Sequence, residues 1–130
     1  MEQDKVSDSK DPEQHSQTSS TITTFDLSTL ISEIKTGDTW KSRDRNAITL
    51  TRSHGLQITL LAMHAGTTKS WHQVECPIRI QLFEGRLEFI TDAKVVSLKK
   101  GDILILQKGI RHHMKTIEES VILLTLASNL

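Results

Sequence analysis

From residue 45 onward, apolar and polar side chains alternate along the chain. The runs "NAITLTR" (46–52) and "LQITLLAM" (56–63) flank Ser53-His54-Gly55, which predicts a β-hairpin. In "IRIQLFEGRLEFI" (78–90), Ile78, Ile80 and Leu82 share one face. Beyond Glu84-Gly85, Leu87 and Phe89 share one face of a returning strand. The runs "VVSL", "ILIL", "RHHMKTI" and "VILLTLA" follow, separated by "TDAK"-, "KKGD"- and "QKGI"-type turns and by Glu118-Glu119-Ser120. About eight short strands at intervals of roughly ten residues predict an all-β fold, a small antiparallel barrel. The last run is apolar on both faces. It is expected to be covered by the barrel interior on one side and by a helix or a second subunit on the other.

Before residue 45 the period changes. In "FDLSTLISEIKTG", Leu27, Leu30, Ile31 and Ile34 recur at helical spacing, Asp26 stands at the N-cap position, and Gly37 follows the last turn. One N-terminal helix with its linker is expected over 22–44, and the barrel domain over 45–130. Residues 1–21 hold only Met1 and Val6 as apolar side chains, too little to offset the entropy of ordering them, and they predict a disordered tail.

Composition narrows the functional classes. The chain has 16 Lys+Arg and 16 Asp+Glu, which gives no bulk attraction for nucleic acid or an anionic membrane. Five acids and two lysines lie in residues 1–21, leaving the remainder mildly basic at 14 against 11. No apolar run approaches the roughly 20 residues of a membrane helix. The N-terminus has no apolar core of a secretory signal, and the single Cys76 cannot form an internal disulfide. A cytoplasmic protein is expected.

Two segments resemble the conserved motifs of the cupins. The first runs from Gly66 through His72, Gln73, Val74 and Ile78 to Gly85; the second is "GDILILQKGIRHHMKT", on which Gly101, Gly109 and His112 fall. The resemblance covers roughly residues 45 to 127 and is strongest to small single-domain bacterial cupins. It implies a double-stranded β-helix, a jelly-roll barrel. It also implies a metal site at four positions, held here by His72, Val74, Ile78 and His112. The Pro and Asn of the second motif are Gln107 and Thr116. Half of the implied ligand set is therefore hydrocarbon.

By strand periodicity, residues 72, 74 and 78 face one way, as do 112 and 114, so Val74, Ile78, Ile80 and Met114 wall the space around His72 and His112. Two imidazoles alone hold a divalent ion poorly, because catalytic zinc commonly takes three protein ligands and related iron sites add a carboxylate. Substitute ligands are Glu75, His64, Gln73 and His113. Trp71 and Trp40 are candidates to line a pocket, or to cover a core edge. Cys76 has no positioned base beside it in sequence, and Arg79 and Gln81 belong to a solvated face.

The residues thus point to His72 and His112 as the metal candidates and to Trp71, Val74, Ile78, Ile80 and Met114 as further ligand-binding candidates. No catalytic residue is assigned. The expected function is a small cupin barrel that binds a small molecule with no metal, or with a weakly bound divalent transition metal. The alternative is a metal-dependent dioxygenase or isomerase with a reduced two-His site. A homodimer is the expected partnership, with neither nucleic acid nor membrane.

Overall fold

The computed structural model describes residues 16–18, 22–53, 55–71 and 74–127. Seven strands form one wrapped sheet: β3 (Arg45–Ser53), β4 (Leu56–Met63), β5 (Thr68–Trp71), β6 (Ile78–Thr91), β7 (Val95–Lys99), β8 (Ile103–Leu106) and β9 (His112–Ala127). A separate hairpin pairs β1 (Ser16–Thr18) with β2 (Thr23–Phe25). Strand pairing therefore reaches into the segment whose composition predicts a tail; residues 1–15 and 19–21 lie outside the described residues.

The helix forms as its caps predict. In α1 (Leu27–Ile34), Asp26 accepts from the backbone N of Thr29 at 3.2 Å and from its hydroxyl at 2.8 Å. These bonds hold the Asp26 carboxyl below its ordinary value. Gly37, at φ 83°, supplies the left-handed residue after the helix. Within the expected linker the chain forms a second short helix, α2 (Gly37–Ser42), on which Trp40 is buried.

Two expectations are corrected. Glu84-Gly85 and Glu118-Glu119-Ser120 are not reversals, and each lies inside one long strand. β6 and β9 pair antiparallel from Ile78↔Leu126 to Thr91↔His112, with register shifts at Leu82/Glu84, Glu84/Arg86 and Arg86/Leu87. Such bulges bend a strand without ending it. The bend needs glycine: Gly85 has φ 94°, and a Cβ there would collide with the Glu119 carbonyl and with Ser120.

The bend divides the sheet into two leaves. One leaf holds β3, β4, the second half of β9, the first half of β6, and β8; the other holds β5, the first half of β9, the second half of β6, and β7. Between them lies an inner apolar cluster that includes Leu61, Met63, Ile78, Ile80, Leu82, Phe89, Met114 and Ile122. An outer cluster packs α1 and Trp40 on the back of β3, β4 and β9 through Leu30, Ile34, Ile48, Leu60 and Val121. The double-sided apolar run of β9 is thus covered by the barrel and by a helix of the same chain. Burial of Leu30, Ile34, Ile48 and Leu60 at 0% exposure contributes about 1.5–3 kcal/mol each before entropy is counted.

Candidate functional site

His112 opens β9, where it stands in register with Trp71 of β5 and Thr91 of β6. The strand's alternation turns it to the inside with Met114, and it is 4% exposed. Its ring stacks on Phe89 with centroids 5.1 Å apart and planes 17° apart. Nδ1 lies 2.8 Å from the Ile110 carbonyl oxygen. A carbonyl only accepts, so Nδ1 carries the proton and Nε2 is the lone-pair nitrogen of the neutral ring. Nε2 is shielded from solvent. Burial lowers the His112 pKa, and the charge of His113 adds to the effect against the opposing Ile110 hydrogen bond. Burial thus holds the ring toward its neutral form.

The walls around it are hydrocarbon. Ile78, Ile80 and Met114 belong to the inner cluster, and Val74 packs against it. The segment that carries Val74 is not a regular strand. It bends at Glu75–Cys76, and the Val74 carbonyl accepts from Gly109 N at 2.8 Å, tying the loop after β5 to the loop after β8. Strand alternation therefore does not relate residue 74 to residue 78. His72, Gln73 and His54 lie outside the described residues, and Trp71 is placed by its backbone alone.

Several substitute ligands are occupied elsewhere. His64 stacks on Trp40 at 3.6 Å, and its Nε2 bonds to the Trp40 carbonyl at 2.8 Å. Trp40 itself belongs to the outer cluster, 8% exposed, where it covers a core. Glu75 is exposed. His113 borders a cleft of ≈ 280 Å³ that His112 also lines, with Ser70, Ile90, Thr91, Asp92 and Arg111. Cys76 borders a different depression, with Arg52, Leu56 and Leu126. Arg79 lies on the outer face and donates to Gln81 at 3.3 Å.

The two positions where the resemblance implies ligands, Val74 and Ile78, offer no donor atoms. Among the described residues, no group of three His, Cys, Asp or Glu side chains could hold a metal ion. Among the described residues, the walls at Val74, Ile78, Ile80 and Met114 add no nitrogen or carboxylate donor to His112.

Two cations were not apparent from the sequence pattern. Lys69 pairs in register with Met114, and Arg45 with Met63. Cross-strand partners share a face, so both belong to the barrel side. In sequence, "TTKSW" reads as a polar turn; only the pairing partner reveals which way Lys69 faces.

No protein-family model matches the sequence, and no curated relative matches it. Solved structures do. The EutQ protein of Clostridium difficile aligns with a TM-score of 0.64 at 22% identity, covering 82% of this chain and 86% of that one. A cupin-2 domain protein from Shewanella frigidimarina aligns with a TM-score of 0.63 at 16% identity, covering 79% and 93%. A cupin superfamily protein from Desulfitobacterium hafniense aligns with a TM-score of 0.63 at 17% identity, covering 66% and 81%. Likeness at these identities is a statement about architecture, and function is argued from the site itself.

Proposed function

We propose, for a chain that has the cupin fold, that it is a binding module for a small, largely apolar molecule and holds no divalent metal or holds one weakly. One observation carries this reading. The inward hydrocarbons Ile80, Leu82, Met114 and Ile122 are 0% exposed, whereas Ala47, Val74, Leu104, Leu106 and Leu126 pack on the same cluster and keep partial exposure. An apolar interior that opens gradually to solvent suits an apolar ligand. Protein purified without added metal should contain well under one equivalent of iron, zinc, manganese or nickel by elemental analysis. A stoichiometric ion would overturn the reading.

His112 favours a second one. An imidazole whose Nδ1–H is fixed by a backbone carbonyl, with Nε2 carrying the lone pair, is the arrangement that metal-ligating histidines use. A metal-dependent enzyme with a reduced site would lose its ion in His112→Ala, and an unchanged metal content in that variant would end this alternative.

The homodimer belongs to the same proposal. Ile103 and Ile105, 51% and 65% exposed on edge strand β8, support it; a solution molar mass equal to one chain would remove it. No described helix is long and apolar enough to cross a membrane.

A further inference from the structure

Among the described residues, four strands of the wrapped sheet lie at an edge: β3 pairs only with β4, β5 only with β9, and β7 and β8 each only with β6. An edge strand leaves one row of backbone N–H and C=O groups without a neighbouring strand, and a charged side chain or a bulge keeps other chains from pairing there. Three of the four carry that protection. β3 has Arg45, Arg52 and a register shift at Thr49/Thr51, β5 has Lys69, and β7 ends on Lys99. β8 reads Ile-Leu-Ile-Leu, with no charge, no proline and no register shift. Its outward residues Ile103 and Ile105 are 51% and 65% exposed, while Leu104 and Leu106 pack on the inner cluster and stay partly exposed. Continuous apolar runs mark strands covered on both faces, yet this one stands at the rim of its leaf. Its ends carry opposite charges, Asp102 just before it and Lys108 two residues after it.

We propose that β8 is the contact between two copies of this chain, paired antiparallel about a twofold axis at Ile105 so that two leaves become one continuous sheet. This rests on the homodimer reading above and names its interface. In that register Ile105 meets the partner's Ile105 on the outer face, and Leu104 meets the partner's Leu106 on the inner one. The same pairing sets Asp102 opposite the partner's Lys108, twice over by symmetry. A parallel pairing would set like charges together instead, so the charges select the antiparallel one. Asp102 is held at the start of the strand by Lys99, whose backbone N and Nζ donate to it at 3.0 and 3.2 Å. A carboxylate has about four acceptor positions, so an arriving ammonium adds to these bonds without displacing them. A contact built on one short strand falls at the small end of protein interfaces, so this dimer dissociates on dilution.

The test is sedimentation velocity of the full chain over a dilution series, for the wild type, Ile105→Lys, Val95→Lys and Lys108→Glu, with circular dichroism to confirm the fold of each. Ile105→Lys changes an outward side chain and brings two ammoniums together at the twofold axis, so it should weaken association by about tenfold or more. Val95→Lys, at a comparably exposed position on the β7 edge, should leave association unchanged. Lys108→Glu should weaken it by about fivefold at low salt and less at high salt. A wild type that stays monomeric would overturn the homodimer and this contact together. A dimer that persists in folded Ile105→Lys, or that Val95→Lys breaks equally, would overturn the β8 contact and leave the homodimer standing. Unchanged association in Lys108→Glu would overturn the antiparallel register.

Discussion

Two apolar clusters lie back to back on the same strands, and they differ in the polar groups at their margins. The outer one, under α1, centres on Leu30, Ile34, Ile48 and Leu60 at 0% exposure, with Phe25, Leu27, Ile31, Ile58 and Leu123 partly buried around it. Its polar members are matched within the chain: Asn46 Nδ2 donates to the Ile34 carbonyl at 3.0 Å while its Oδ1 accepts from Ala47 N at 3.0 Å. His64 is matched to Trp40. The inner cluster likewise has a fully buried floor and partly exposed walls, but it borders His112 and Lys69. β3 shows the contrast residue by residue. Asn46, Ile48 and Leu50, toward the helix, are buried, while Arg45, Ala47 and Thr49, toward the barrel, keep partial exposure. The inner one, with polar groups at its margin, is where the proposed ligand would be held.

The largest expected effect comes from the bend on which both clusters depend. Gly85→Ala should cost about 3 kcal/mol or more, from a left-handed backbone and a backbone collision, read as a lowered denaturant midpoint. A cost below about 1 kcal/mol would mean that the bend tolerates an ordinary residue.

Next comes the contrast itself. Leu60→Ala in the outer cluster should cost about 2–5 kcal/mol, because Leu60 is fully buried. Leu106→Ala, at the partly exposed inner wall, should cost clearly less, since it forfeits less buried area. Equal losses in chemical denaturation would show that Leu106 is as enclosed as Leu60.

The smallest effect is one of pH. The folded His112 pKa lies below its ordinary 6.5, so below about that pH the unfolded chain takes up the proton first. His112 should therefore leave stability untouched above 6.5 and lower it as the pH falls, until the native ring also protonates. The difference in melting temperature between the wild type and His112→Asn should change between pH 8 and pH 5. A constant difference would place His112 in a solvated setting.

The barrel was legible because burial imposes period two on its strands and period 3.6 on α1. Asp26 and Gly37 marked that helix because caps are local hydrogen-bond chemistry. The long strands were misread as four short ones. Glu84-Gly85 and Glu118–Ser120 carry residues typical of turns, and only their mutual pairing makes them bulges. The candidate site was legible in part. His112 stood on a spaced motif, but nothing local told His64, fixed to a tryptophan 24 positions away, from a histidine of the interior.

Local order thus wrote down which segments extend, where the helix begins, and that the jelly roll's interior would be aliphatic at Val74 and Ile78. The facing of Lys69 and Arg45 toward that interior, and the capture of His64 by Trp40, came only with the folded arrangement. A side chain's direction in a sheet is fixed by register with a distant strand. No sequence window contains both partners.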